Sequence, residues 1–313
     1  MRYSVVIPAF NEEAVITETY NRLTNVMISM NESYELVFVN DGSRDNTAFI
    51  VAEICQNDRH VRLINFSRNF GHMPAISAGM EYARGEAIFI IDADLQDPPE
   101  IFPEMAAKWN EGYHVVYGKR KKREGDGIFK KISAKIFYRL LRRMTSIDLP
   151  LDTGEFRLID RKVCDAVNRL PEKNRYIRGL VTWVGFKQTE VLYVRQERFA
   201  GETKYPLRKM IIFAMDAITA FSYKPLKIAT SVGFLISFFS FVYLIIVFYQ
   251  RFFTDTTITG WASTTGILLF TQGIVMMILG MMGEYIGRVY EEIKNRPAYI
   301  VQEVLGGDDD LLV

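Results

Sequence analysis

The chain has 313 residues, with 38 Lys and Arg against 37 Asp and Glu, so its formal charge is +1. That balance excludes a global polyanion binder, and a hydrophobic share of 49% with 24% charged residues excludes a disordered chain. Two cysteines, Cys55 and Cys164, share no CxxC spacing, which excludes a disulfide framework or a zinc ribbon. Three scattered histidines (His60, His72, His114) speak against a histidine-based metal site.

The length suggests roughly two domains. The N-terminal apolar run stops within a few residues at Asn11-Glu12-Glu13, so no secretory signal peptide is expected. Through the first 120 residues short apolar runs alternate with amphipathic stretches. The runs at 3–8, 35–40, 61–66, 87–92 and 115–117 predict buried parallel strands. The stretches at 13–30, 45–57, 73–83 and 99–110 predict helices between them. This alternation predicts an α/β doubly wound sheet, on which ligands bind beyond the carboxyl ends of the strands.

Polar residues gather at those ends. The first strand runs into Pro8-Ala9-Phe10-Asn11-Glu12 and the second into Asn40-Asp41-Gly42-Ser43. The third runs into Ser67-Arg68-Asn69-Phe70-Gly71-His72, and the fourth into Asp92-Ala93-Asp94-Leu95-Gln96-Asp97. Ser43 or Asp45 can serve as helix caps. Capping does not account for Asp92 and Asp94, which come straight off an apolar run. Asp92, Asp94 and the side-chain carbonyl of Gln96 form a hard-oxygen set suited to Mg²⁺ or Mn²⁺ and a diphosphate. A DxD triplet alone occurs often by chance; its place at a strand end among other acidic strand ends gives it weight. No GxGxxG follows the first strand and no GxxxxGK[ST] occurs, so dinucleotide and P-loop sites are not expected.

Residues 119–143 carry 11 basic and 2 acidic side chains. A solvated basic face is the ordinary meaning of such a run. With a membrane segment in the same chain, attraction to anionic lipid head groups becomes an alternative. Nucleic acid is not an expected partner, because no aromatic-studded basic sheet or recognition helix accompanies the run. A turn at Asp152, Gly154 and Glu155 precedes an apolar strand at 156–159, and Arg157 can pair with either acid. Arg198 to Lys204, around Gly201, predicts a basic loop. Residues 210–223 are apolar with one acid between Lys209 and Lys224, as in an interfacial helix.

No residue between Lys227 and Arg251 is charged, a run of 23 residues that would extend about 35 Å as a helix. A second uncharged run lies between Asp255 and Glu284. Both predict membrane spans, at about 228–250 and 262–284. The basic flanks (Arg208, Lys209, Lys224, Lys227; Arg288, Lys294, Arg296) place both ends in the cytosol by the positive-inside rule. The expected layout is a cytosolic catalytic domain at 1–206, an interfacial helix at 207–225, a two-helix hairpin at 226–290 and a cytosolic tail at 291–313. Gly283 and Gly287 set a GxxxG in the second span, which suits helix association and a homo-oligomer or close packing of the two spans on each other.

The strings PAFNEE, VNDGSRD, SRNFGHMPAISAGM, IIDADLQDPPE, DTGEFRLIDR and RFAGETKY, in this order, resemble the family 2 glycosyltransferases. Within them the chain resembles the bacterial membrane enzymes that move a sugar onto a polyprenyl phosphate, relatives of dolichyl-phosphate mannose synthase. The resemblance covers nearly the whole chain. It implies a GT-A fold, a nucleotide-sugar donor, Mg²⁺ or Mn²⁺ and inverting transfer to undecaprenyl phosphate. The product would be a lipid-linked sugar for cell-envelope glycosylation. UDP-glucose is the donor expected on family grounds, with UDP-N-acetylglucosamine or another nucleotide sugar as the alternative.

Carried onto this sequence, Pro8, Phe10, Asn11, Glu12 and Asp41 would hold the nucleoside. Asp92, Asp94 and Gln96 would hold metal and diphosphate, and Arg120, Arg198 and Lys204 the phosphates of acceptor and donor. Asp94, Asp152 and Glu155 are the catalytic candidates, and a tetramer is implied. Two positions depart from the family pattern: Asn40, often an acid, and Glu155, often Asp. A polysaccharide synthase on the same fold would carry QxxRW, which is absent; a non-catalytic nucleotide-binding membrane module would not need the full acidic and basic set.

Overall fold

The computed structural model describes residues 1–121, 153–173, 175–195, 224–253 and 260–307. The interfacial stretch expected at 207–225 lies almost wholly outside them, as does the basic run beyond Lys121.

Eight strands form one mixed sheet: β1 (Tyr3–Ala9), β2 (Tyr34–Asn40), β3 (Val61–Phe66), β4 (Ala87–Ile90), β5 (Val115–Arg120), β6 (Thr153–Asp160), β7 (Gln188–Tyr193) and β8 (Val301–Leu305). Their order across the sheet is β7-β5-β6-β4-β1-β2-β3-β8. The four parallel strands β3, β2, β1 and β4 are connected by α1 (Ile16–Ser29), α2 (Thr47–Asn57) and α3 (His72–Tyr82). Val5 and Ile7 of β1 face one core and Val6 the other, as the two-residue period of a strand requires. The first core takes α1, α2 and α4 (Phe102–Asn110). The second takes α3, α5 (Arg161–Asn168) and α6 (Ile177–Trp183).

Three expectations are corrected. The fifth strand does not extend the parallel set beside β4. β6 inserts between them, antiparallel to both, with Ile90 opposite Arg157 and Val116 opposite Leu158. β6 is a central strand covered on both faces, and its buried Phe156, Leu158 and Ile159 carry no mark of its direction in their order. The fourth strand ends at Ile90, which leaves Asp92 and Asp94 in the loop after it. The stretch after the hairpin is not a plain tail: β8 returns to the sheet and pairs antiparallel with β3.

The C-terminal part contains α7 (Lys224–Phe253) and α8 (Trp261–Ile293), which pack against each other. Large apolar side chains such as Phe234, Phe238, Phe241, Phe270, Met276 and Leu279 point outward from both. Among the described residues no helix is long and apolar enough to cross a membrane.

Candidate active site

The strand directions fix where the chemistry gathers. β5 is antiparallel to β6 and β6 to β4, so β5 runs with β4, and β7 runs with β5. The carboxyl ends of β1 to β5 and β7 therefore share one rim with the start of β6. Asn11, Asp41, Asp92, Asp94, Gln96, Arg120 and Glu155 all belong to that rim.

The exit loops of β1 and β2 are stitched together. Asn11, at φ 56°, donates its N–H to Ser43 Oγ at 2.9 Å and accepts from Arg44 N–H at 2.8 Å. Glu12 N–H donates to Thr47 Oγ1 at 2.8 Å. Asp45 is another stitch and not a simple cap: it accepts from Glu13 N–H at 3.1 Å and from Thr47. Pro8 is buried at the end of β1, and Phe10 stands exposed on the rim. Asn40 donates to Asn65 Oδ1 at 3.0 Å and accepts from Ser43 N–H at 3.2 Å. An ionised acid in its place would lack the donor that Asn65 receives.

Asp41, 3% exposed, clasps the loop after β3. It accepts from Phe70 N–H at 2.7 Å, Gly71 N–H at 2.9 Å and Asn69 Nδ2 at 2.9 Å. Burial raises its pKa more than these donors lower it. Gly42 follows at φ 65°, where a Cβ would lie 2.4 Å from the carbonyl carbon of Arg68, so the two exit loops touch backbone to backbone.

The loop after β4 holds the acidic set. Asp94 Oδ1 accepts from Gln96 N–H at 3.1 Å, and Leu95 between them takes φ 58°, an unusual value for a bulky side chain. Asp92 keeps 34% of its side chain exposed, yet its Oδ1 is buried without a hydrogen-bond partner among the described residues. Its pKa is pushed up to about 6, chiefly by burial, with Asp94, Asp97 and Glu155 adding repulsion and His72 opposing them. His72, at the start of α3, brings Nε2 to 3.4 Å from that oxygen. Among the described residues no three His, Cys, Asp or Glu side chains already stand as a closed metal cage. The orphaned Asp92 oxygen beside Asp94 nevertheless suits a hard divalent cation that keeps waters and takes the remaining ligands from a diphosphate.

Glu155 is 6% exposed and doubly paired, with Arg157 Nη2 at 3.2 Å and Arg178 Nη2 at 3.0 Å. Burial opposes its ionisation, but Arg157, Arg178 and His72 outweigh burial and hold the carboxyl below the usual range. Arg120, at the end of β5, donates Nε to Tyr193 Oη at 3.1 Å. Asp152, Arg198 and Lys204 lie outside the described residues.

Two rim residues, Tyr193 and Arg195, were missed from sequence, and His72 and Asp97, read at the strand ends, were given no role there. Asp97 directly follows the DADLQ string and could have been given a role with it. Tyr193 and Arg195 carry no local signal; only the parallel pairing of β7 with β5 brings them in.

Residues 4–167 match Glycosyl transferase family 2, and residues 224–289 match the GtrB C-terminal hairpin. The chain is 60% identical over 306 residues to the uncharacterized glycosyltransferase YkcC of Bacillus subtilis (strain 168), covering 98% of this chain and 95% of that protein. It is 37% identical over 303 residues to bactoprenol glucosyl transferase of Shigella phage SfII, covering 97% and 98%. Among solved structures, mannosyl-3-phosphoglycerate synthase from Rubrobacter xylanophilus aligns with a TM-score of 0.48 at 16% identity, over 70% of this chain and 72% of that one. With both matches in one chain and relatives matched nearly end to end, the chain belongs to the family 2 glycosyltransferases and carries the GtrB C-terminal hairpin, on a GT-A-like α/β fold with a mixed sheet.

Proposed function

We propose that the protein transfers glucose from UDP-glucose to a polyprenyl phosphate, undecaprenyl phosphate in a bacterium, with inversion at the anomeric carbon. The observation that carries this is the match over 97% of the chain, hairpin included, to a relative named bactoprenol glucosyl transferase.

The acceptor phosphate oxygen forms a bond to the anomeric carbon as the bond to the UDP oxygen breaks. A phosphate monoester is already anionic at neutral pH, so no strong general base is required. The demand falls on neutralising the leaving diphosphate. Asp92, Asp94 and Gln96 would hold Mg²⁺ or Mn²⁺, which supplies that neutralisation when bound. Pro8, Phe10, Asn11, Glu12 and Asp41 shape the nucleoside side of the rim; Asp41 does so by holding the 69–71 loop in place. Arg120, with Arg198 and Lys204, draws the acceptor phosphate. Glu155 is closed in by two arginines, so its part is to fix Arg178 and Arg157 beside the acidic loop.

In this reading α7 and α8 form a membrane hairpin with both flanks and the catalytic domain on the cytosolic side. Its support is the uncharged 23-residue run in α7 and the outward apolar side chains of both helices. Gly283 and Gly287 support assembly between copies, as a homo-oligomer such as a tetramer. A Cβ at either would meet nothing within 4 Å among the described residues, which leaves room for close helix approach. Glu284 pairs with Arg288 of its own helix at 3.1 Å.

The test is a donor screen with purified full-length protein, a short polyprenyl phosphate and UDP-glucose or UDP-N-acetylglucosamine, reading the lipid-linked product by mass spectrometry. Glucosyl lipid is expected. Transfer only from another donor corrects the sugar, and no lipid product from any donor overturns the function.

A further inference from the structure

Asp97 is 2% exposed, and three groups converge on its Oδ1. Tyr193 Oη donates to it at 2.5 Å. Arg120 Nη2 stands 3.9 Å away and Arg195 Nε 4.0 Å. The guanidiniums are within ion-pair range but beyond hydrogen-bond reach, so the carboxylate attracts both without occupying their N–H groups. Arg195 Nε is buried and has no hydrogen-bond partner among the described residues. Each arginine side chain keeps about a third of its surface open to the rim.

The strands are shaped around this group. The Tyr193 ring packs edge-on against Phe156, with centroids 5.4 Å apart. A Cβ at Gly118 would strike that Phe156 ring at 2.7 Å and the Tyr193 ring at 2.9 Å. A Cβ at Gly154 would press on Arg120 Nη2 at 3.1 Å. Among the described residues one buried carboxylate thus stands within ion-pair range of two guanidiniums, next to the loop that carries Asp92 and Asp94.

We propose that Asp97 and Tyr193 preset Arg120 and Arg195 as a paired-guanidinium clamp for the acceptor phosphate monoester, Arg195 being a binding residue and Asp97 and Tyr193 positioning residues. This rests on the function proposed above. A monoester approaching two negative charges matches two guanidiniums, whose forked donors suit phosphate oxygens better than an ammonium does. The donor diphosphate is served instead by the Asp92 and Asp94 side of the loop.

The experiment uses full-length protein in detergent. Acceptor KM and kcat are measured with a short polyprenyl phosphate, and UDP affinity by calorimetry, for wild type, Arg195→Ala, Arg195→Lys, Tyr193→Phe and, as a distant surface control, Lys108→Ala. Arg195→Ala should raise acceptor KM at least tenfold with UDP affinity within twofold of wild type. Arg195→Lys should recover only part of that loss. Tyr193→Phe keeps the ring packing and should still raise acceptor KM severalfold; a purely structural hydroxyl would change melting temperature alone. Unchanged acceptor KM in Arg195→Ala, or an equal loss of UDP affinity, overturns the clamp while leaving the function standing. Wild-type protein that glycosylates no polyprenyl phosphate overturns the function and the clamp with it.

Discussion

His72 Nε2 stands 3.4 Å from Asp92 Oδ1, a buried carboxylate oxygen with no hydrogen-bond partner among the described residues. Burial and three neighbouring acids push this carboxyl up to about 6, and His72 is the group that pulls it back. A divalent cation binds the ionised form, so it must displace a proton below that pH. Mn²⁺ affinity should therefore climb as pH rises through about 6. His72→Ala removes the opposing influence and should move that climb to higher pH. Mn²⁺ titrations followed by electron paramagnetic resonance between pH 5 and 8 check both; a pH-independent affinity would exclude Asp92 from the metal's shell.

Asp94→Asn should nearly abolish transfer while leaving the melting temperature within a few degrees of wild type. The side chain lies on a partly open loop, and the hydrogen bond it accepts from Gln96 N–H can still be accepted by an amide oxygen. Excess chelator should silence the wild type to the same degree, and Mn²⁺ or Mg²⁺ should restore it. Full activity in chelator contradicts a metal at this loop.

Much of this rim was legible because its residues lie at the ends of strands that advertise themselves. β1 to β4 are apolar runs with helical stretches between them, so Asp41, Asp92 and Asp94 fall at strand exits by position alone. The antiparallel entry of β6 was not legible, since a doubly covered strand looks the same in either direction. The closeness of Tyr193 to Asp97, 96 residues apart, follows from that order and was hidden with it. β8 was missed for another reason. Val301–Leu305 is an exposed edge strand with Gln302 and Glu303 in its middle, and its pairing depends on β3 more than on its own composition.

Glu155 gives a pH-dependent stability with a definite sign. Arg157, Arg178 and His72 hold its folded pKa below the unfolded value. Its contribution is thus present above the ordinary carboxylate range and is lost as pH falls through the folded value. Glu155→Gln leaves two guanidiniums facing a neutral amide and should cost about 3 kcal/mol at pH 7. The gap between variant and wild type should hold from pH 7 down to the ordinary carboxylate range and narrow as pH falls on below about 4 through the folded value. Thermal melts across that interval provide the check; a gap that stays constant would mean the carboxylate's charge does not contribute.

The last prediction concerns the return of the chain from the hairpin to the sheet. Tyr299 stacks on Phe66 with centroids 5.0 Å apart and planes 10° from parallel, and its hydroxyl donates to Glu81. Ile300 O accepts from Ser67 N–H at 3.1 Å, and Glu303 accepts from Asn65 Nδ2 at 2.7 Å. These contacts bind the end of β3, which leads into the loop that Asp41 clasps and on to His72. Removing the ring should therefore loosen the rim as well as the edge of the sheet. Tyr299→Ala should cost about 2 kcal/mol, counting the lost stacking and the partly buried ring. It should also weaken UDP binding severalfold. Tyr299→Phe keeps the stack, loses only the Glu81 hydrogen bond, and should cost about 1 kcal/mol with UDP affinity unchanged. Melting temperature and UDP calorimetry on the two variants separate the effects. If Tyr299→Ala lowers the melting temperature but binds UDP as wild type does, β8 anchors the hairpin to the sheet without bearing on the site.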